Sequence, residues 1–165
     1  MKVIMPGSYD PVTLGHLHMI RQVAAREDEV FVVCFINPDK EYAFSITDRV
    51  AMLMLATEDL DNVLVSYSDG RVVDYMRDHG IEKIVKGYRD GRDLEWEHYQ
   101  AQYNMHHGGY ETELIKCSPD MEGVSSTAVR EALAEGRVPR ELLPPPVSDY
   151  IEEMISKSHR KDQIK

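Results

Sequence analysis

The sequence predicts a single-domain α/β fold: a doubly wound five-stranded parallel sheet with helices on both faces. Three observations lead there. Strand and helix signals alternate in the order βαβαβαβαβαα, which calls for parallel strands joined by crossover helices. Residues 30–36, VFVVCFI, form an unbroken apolar and β-branched run of the kind that suits a central strand buried on both faces. The chain of 165 residues, 42% apolar, is enough for one full core.

The first strand is expected over residues 3–5. Gly7, Ser8 and an Asp10–Pro11 turn lead to Gly15 and His16, where a helix over 16–26 should begin with Leu17, Ile20, Val23 and Ala24 on one face. After the strand at 30–36 comes a polar loop, 37–45. Ser45 with Asp48 then resembles a capping box, and Val50, Leu53, Met54 and Thr57 continue the helix's inner face. Residues 63–65 give a third strand, 72–79 a helix closed by Gly80, and 81–85 a fourth strand. A helix over 93–105 closes at Gly108–Gly109, and 112–117 is the fifth strand. A loop at 118–124 precedes a helix at 125–135 capped by Gly136, and a rigid Leu143-Pro-Pro-Pro146 connection leads into a last helix at 147–156. The architecture is Rossmann-like, with one domain over 1–157 and a charged, frayed tail at 158–165.

Bulk properties exclude several functions. The net charge is −10 with no basic stripe, which argues against nucleic acid as a partner. The longest apolar run is too short to span a membrane. Met1-Lys2 leads directly into a strand, so a cytoplasmic protein is expected, with Cys34 and Cys117 as reduced thiols. None of the seven histidines sits in a metal-binding pattern, and no protein-ligated metal is expected; His106-His107 reads as a helix end.

In a doubly wound sheet, ligands bind beyond the strand C-termini where the winding reverses. Polar residues should therefore gather just after the strands. Ser8, Tyr9 and His16 follow the first strand, Asn37, Asp39 and Lys40 the second, Lys86, Gly87 and Arg89 the fourth, and Ser125, Ser126 and Thr127 the fifth. A Gly-bearing turn feeding a helix N-terminus suits phosphate, because the first-turn amides are unpaired and the helix dipole favours an anion.

Three strings carry a family resemblance. Thr13-Leu14-Gly15-His16, in its strand–turn–helix setting, resembles the (H/T)-x-G-H motif of a nucleotidyltransferase superfamily whose members join a nucleoside monophosphate unit to a phosphorylated alcohol. Lys86-Gly87-Tyr88-Arg89 with Asp93-Leu94-Glu95-Trp96-Glu97 resembles the R-G-x-R-x-x-x-D-x-E-Y-E segment of the phosphopantetheine adenylyltransferase family. Val124-Ser125-Ser126-Thr127-Ala128-Val129-Arg130 resembles the superfamily's triphosphate-gripping segment, and also that of nicotinamide mononucleotide adenylyltransferases. Asn37-Pro38-Asp39-Lys40, the element order and Leu143-Pro144 match the phosphopantetheine family too, so the likeness covers nearly the whole chain.

The resemblance implies transfer of the adenylyl group of ATP to 4′-phosphopantetheine, giving dephospho-coenzyme A and pyrophosphate. It implies catalytic roles for His16, Lys40 and Arg89, and acceptor binding by Ser8, Lys40, Val72 and Lys86. ATP would be held by Ser8, Tyr9, His16, Gly87, Tyr88, Arg89, Glu97, Gly123, Val124, Ser125, Ser126 and Thr127. Mg²⁺ would be bound through the ATP phosphates. A homohexamer and inhibition by coenzyme A are further implications. The alternatives are a sister nucleotidyltransferase, such as one acting on nicotinamide mononucleotide, or a non-catalytic nucleotide-binding module. Ser8 stands where the family often has Thr, and Lys86, where Arg is common, keeps the charge without the bidentate fork. The loop carrying Glu122 and Gly123 is shorter than in the family. For Trp96, Tyr99 and Tyr103, core or subunit packing is expected rather than base stacking.

Overall fold

The computed structural model describes residues 1–164, with side chains through residue 160. Five strands, β1 (Lys2–Gly7), β2 (Glu29–Phe35), β3 (Val63–Ser68), β4 (Lys83–Tyr88) and β5 (Thr112–Lys116), form one parallel sheet in the order β3-β2-β1-β4-β5. The chain winds outward from β1 to β3, then crosses back to β4 and β5, so the winding reverses between β1 and β4. Period-2 alternation sorts the core. Val3, Met5, Val30, Val32 and Cys34 face α1 (Leu14–Ala24), α2 (Ile46–Ala56), α5 (Ser126–Ala134) and α6 (Pro145–Ile164). Ile4, Val33 and Ile84 face α3 (Val72–His79), whose Met76 is fully buried. α4 (Gly91–Gly108) lies on this second side against α3 and β4, and none of its residues is buried. Among the described residues, no helix is long and apolar enough to cross a membrane.

The fold class is as the sequence predicts, with local corrections. β4 runs to Tyr88, so Lys86, Gly87 and Tyr88 belong to a strand rather than to the loop after it. Their register against Leu114, Ile115 and Lys116 of β5 holds them there, a pairing that local propensity does not reveal. α1 begins at Leu14 with Thr13 as its N-cap, two residues before the expected start. Pro145 opens α6 instead of ending a connector, since proline is at ease in a first helical turn. The helix continues to Ile164; Lys165 lies outside the described residues. In α2 the buried face is Arg49, Met52, Leu53 and Ala56, while Met54 is 53% exposed. That face keeps the i, i+3, i+4, i+7 spacing of an inner stripe but begins on an arginine; of the expected face Leu53 and Thr57 are buried, Val50 is half-buried and Met54 is not on it. Both cysteines are free thiols; Cys34 is buried in β2 and Cys117 falls just beyond β5.

Candidate active site

β1 pairs with β2 along six positions but with β4 only at Val3–Lys83 and Ile4–Ile84. Beyond Ile4 the two strands part, and the crevice of the switch point opens between Pro6–Gly7 and Lys86–Gly87. Two clefts meet there. One, of about 300 Å³, lies between the N-termini of α1 and α5 and is lined by His16, Arg89 and Ser125 to Thr127. The other, of about 750 Å³, runs past Ser8, Lys40, Val72 and the aromatic side of α4. Pro6, Gly7 and Lys86 line both.

The Thr13–His16 string is a capping box with histidine in the place of the usual acid or amide. The Thr13 amide donates to His16 Nδ1 at 3.0 Å, and the His16 amide donates to Thr13 Oγ1 at 3.4 Å. A backbone amide can only donate, so Nδ1 is the acceptor and Nε2 carries the proton. The Tyr9 ring meets the imidazole edge-on, with centroids 5.0 Å apart. Burial, reinforced by the charge of Arg89, lowers the His16 pKa to about 4. The ring is therefore a neutral Nε2–H donor at neutral pH. Folding stability should respond with a definite sign. As pH falls below about 6.5 the unfolded chain takes up a proton that the folded ring refuses, so His16 lowers stability progressively down to about pH 4 and no further. In a ¹⁵N NMR titration His16 should hold the Nε2–H tautomer from pH 8 down through 5.5. A midpoint near 6.5, or an Nδ1–H tautomer, would contradict this reading.

A second set of contacts binds the 37–45 loop to this opening. The buried Asp10 carboxylate accepts from the amides of Ala43 at 2.8 Å and Phe44 at 2.9 Å. Lys40 Nζ donates to Ser8 Oγ at 3.3 Å. Arg49, 2% exposed, donates from Nη1 to the Ser8 carbonyl at 2.9 Å, and its guanidinium lies 3.8 Å from the centroid of the Tyr42 ring. Ser8 and Lys40, 32 residues apart, are thus brought together as the sequence predicts. Tyr9 is held below them. It is buried at φ 47°, in the left-handed region, and its hydroxyl donates to the Met5 carbonyl at 2.9 Å. Its ring contributes a wall and supports His16; its hydroxyl is committed to the backbone.

From β4 and α4, Lys86 Nζ lies 3.0 Å from Glu97 Oε2 and donates to Gln100 Oε1 at 3.0 Å. Glu97 therefore meets a lysine at the junction of the clefts, as an ion pair rather than an aligned hydrogen bond. Arg89 donates from Nε to Asp93 Oδ2 at 3.2 Å, an i,i+4 pair whose members both line the smaller cleft. Trp96 and Tyr99 stack at 5.7 Å and are 58% and 61% exposed; Tyr103 is 39% exposed. Core packing within the chain is therefore excluded for them; they line the larger cleft.

The α5 start closes the site. Ser125 is its N-cap, accepting from the Ala128 amide at 3.1 Å. Ser126 Oγ donates to the Pro11 carbonyl at 2.8 Å, and Arg130 donates to the Asp10 carbonyl at 2.8 Å and to Thr127 Oγ1 at 3.2 Å. Ser126 thus ties the helix start to the 10–11 turn while Ser125 and Thr127 bond within α5, and the unpaired first-turn amides are what this turn offers an anion. Gly123, expected in the nucleotide set, is exposed and lines neither cleft. A Cβ on Gly15 would stand 3.1 Å from the Val124 carbonyl, so any larger residue would make the 118–124 loop give by a few tenths of an ångström, and the close approach of α1 favours glycine.

Nearly all the residues expected in the site border one cleft or the other. Four that matter to its build were not anticipated: Asp10, Tyr42, Arg49 and Arg71, the last lying by Val72 and paired with Asp74 at 3.0 Å. Arg49 alone left a signal, as a charge heading an otherwise apolar helical stripe. The cytidylyltransferase-like family model matches residues 4–132, most of the chain and every element of the two clefts as far as α5. The chain belongs to that family, and its activity is that of a nucleotidyltransferase.

Proposed function

We propose that this cytidylyltransferase-like chain transfers the adenylyl group of ATP to 4′-phosphopantetheine, releasing pyrophosphate and forming dephospho-coenzyme A. The observation that carries this reading is the junction of two clefts: a phosphate-suited cleft at two helix N-termini and a longer one headed by Ser8 and Lys40, with Lys86 at their shared wall. The nucleotide would lie in the first with its α-phosphorus by His16. The acceptor phosphate would lie at Ser8 and Lys40, with the pantetheine arm along Val72 and the aromatic side of α4.

An oxygen of the acceptor phosphate attacks the α-phosphorus. The bond from that phosphorus to the bridging oxygen breaks, and pyrophosphate leaves with the electron pair. A phosphate dianion needs no general base, so the protein's part is positioning and charge stabilisation. His16 Nε2–H donates to a non-bridging oxygen of the transferring group. Arg89 and the amides at Ser126 and Thr127 hold the triphosphate. The substrate is the magnesium complex of ATP, whose metal offsets triphosphate charge. Asp93 and Glu97, the acids of the nucleotide cleft, are already taken by Arg89 and Lys86, so the chain offers the complex cations and amides for its phosphate oxygens. A homohexamer, a cytoplasmic setting and inhibition by coenzyme A go with the same proposal.

The test is pyrophosphate release from ATP or CTP with phosphopantetheine, nicotinamide mononucleotide or glycerol 3-phosphate offered in parallel. ATP with phosphopantetheine should give the highest kcat/KM. Release only with another pair would replace this assignment, and release with none would point to a nucleotide-binding module.

A further inference from the structure

We propose that Arg49 is a positioning residue of the acceptor site: a buried cation that fixes the Ser8 carbonyl and lends its charge to the acceptor phosphate from beneath the loop. The proposal rests on the reading that the larger cleft takes a phosphorylated acceptor.

Arg49 heads the fully buried side chains of the chain by size. Its contacts do not balance its charge. One nitrogen donates to Ser8, the guanidinium faces the Tyr42 ring, and Nε has no hydrogen-bond partner. Among the described residues, no carboxylate lies within 4.0 Å of it. Asp10, the buried acid of the neighbouring loop, is engaged by the Ala43 and Phe44 amides and by Arg130 at 4.0 Å. A cation removed from water without an anion is costly, and nothing in the packing demands one here. The position is the first of an i, i+3, i+4, i+7 stripe whose other members are Met52, Leu53 and Ala56, where an apolar side chain would serve.

The surroundings say what the charge is for. Tyr42, against which Arg49 stacks, lies with its ring centroid 5.3 Å from Lys40 Nζ, and Lys40 contacts the hydroxyl of the same Ser8 whose carbonyl Arg49 holds. Tyr42 is itself fixed, accepting the Asn37 amide at 2.9 Å. Arg49, Tyr42, Lys40 and Ser8 therefore form one unit at the head of the acceptor cleft. A phosphate at Lys40 would supply the anion that the protein does not. In a poorly solvated setting the attraction reaches further than it would in water.

Two substitutions separate charge from structure. Arg49→Gln keeps a donor for the Ser8 carbonyl and removes the charge, whereas Arg49→Lys keeps the charge. The acceptor KM should rise about tenfold in R49Q and stay within about threefold in R49K, with the KM for ATP within about threefold in both. A merely structural arginine would lower the melting temperature in both variants and leave the acceptor KM untouched, which would overturn the proposal. If R49Q does not fold, the second charge-removing variant, Arg49→Met, decides in the same assay: an acceptor KM raised about tenfold supports the proposal, and an unchanged one overturns it. Trp96, the one tryptophan, lines the acceptor cleft, so its fluorescence during titration with inorganic phosphate gives a reading free of turnover. Were no substrate pair to release pyrophosphate, the proposed reaction would fail by itself. Weaker phosphate binding by R49Q than by the unaltered protein would still support the role of Arg49, and equal binding would end it.

Discussion

Replacing His16 with alanine is expected to lower kcat by about 10²- to 10³-fold while the KM for ATP changes by less than about threefold. That is the range for removing one preorganised donor aimed at charge that develops in the transition state. The expectation follows from the ring's chemistry. Its Nδ1 is taken by the Thr13 amide, so its remaining proton is on Nε2, and burial keeps it neutral with a pKa of about 4. A neutral donor stabilises the transferring phosphoryl oxygens without repelling Arg89. The same substitution removes half of the α1 capping box, at a cost of about 1 kcal/mol. Steady-state kinetics should therefore be paired with a melting curve. A folded variant with near-normal turnover would remove His16 from the mechanism.

Replacing Lys40 with alanine is expected to act on binding. The KM for the phosphorylated acceptor should rise by about 10- to 100-fold, equivalent to about 1.4–3 kcal/mol for a charge-assisted hydrogen bond, with the KM for ATP nearly unchanged. Lys40 is exposed and its contact with Ser8 Oγ is the only hydrogen bond of its side chain among the described residues, while the bond from its backbone amide to the Asn37 carbonyl survives truncation, so the fold should tolerate the change. Initial rates at varied acceptor concentration give the answer, and an unchanged acceptor KM would count against placing the acceptor phosphate between Ser8 and Lys40. The two variants should thus separate cleanly, one in kcat and the other in acceptor KM, because the two side chains stand in different clefts.

Legibility in the sequence followed the range of the interactions. The Thr13–His16 string could be read as a motif from its family resemblance, but its capping box could not, although those hydrogen bonds close within three residues. Ser125 could be read as the start of a helix, and its capping bond to the Ala128 amide spans only three residues. Lys40 was legible from its place after β2, but its distance to Ser8 was not. Asp10 was invisible as a site builder, and Arg49 showed only as a charge at the head of an apolar stripe, because their partners, Ala43, Phe44 and Ser8, lie more than thirty residues away in the chain. Glu97 was expected to hold ATP, whereas its nearest cation is Lys86, a pairing that depends on where α4 packs beside β4.

The sequence by itself determined the alternation of strands and helices and the gathering of polar residues at one end of the sheet, since each rests on local periodicity and element order. Only the tertiary structure decided that β1 and β4 part beyond Ile4, that two clefts meet across Gly7 and Lys86, and that an arginine with no carboxylate partner lies under Ser8. Strand order and loop-to-loop contacts join residues far apart in the chain. Their energies come from burial and long-range pairing, which no local pattern encodes.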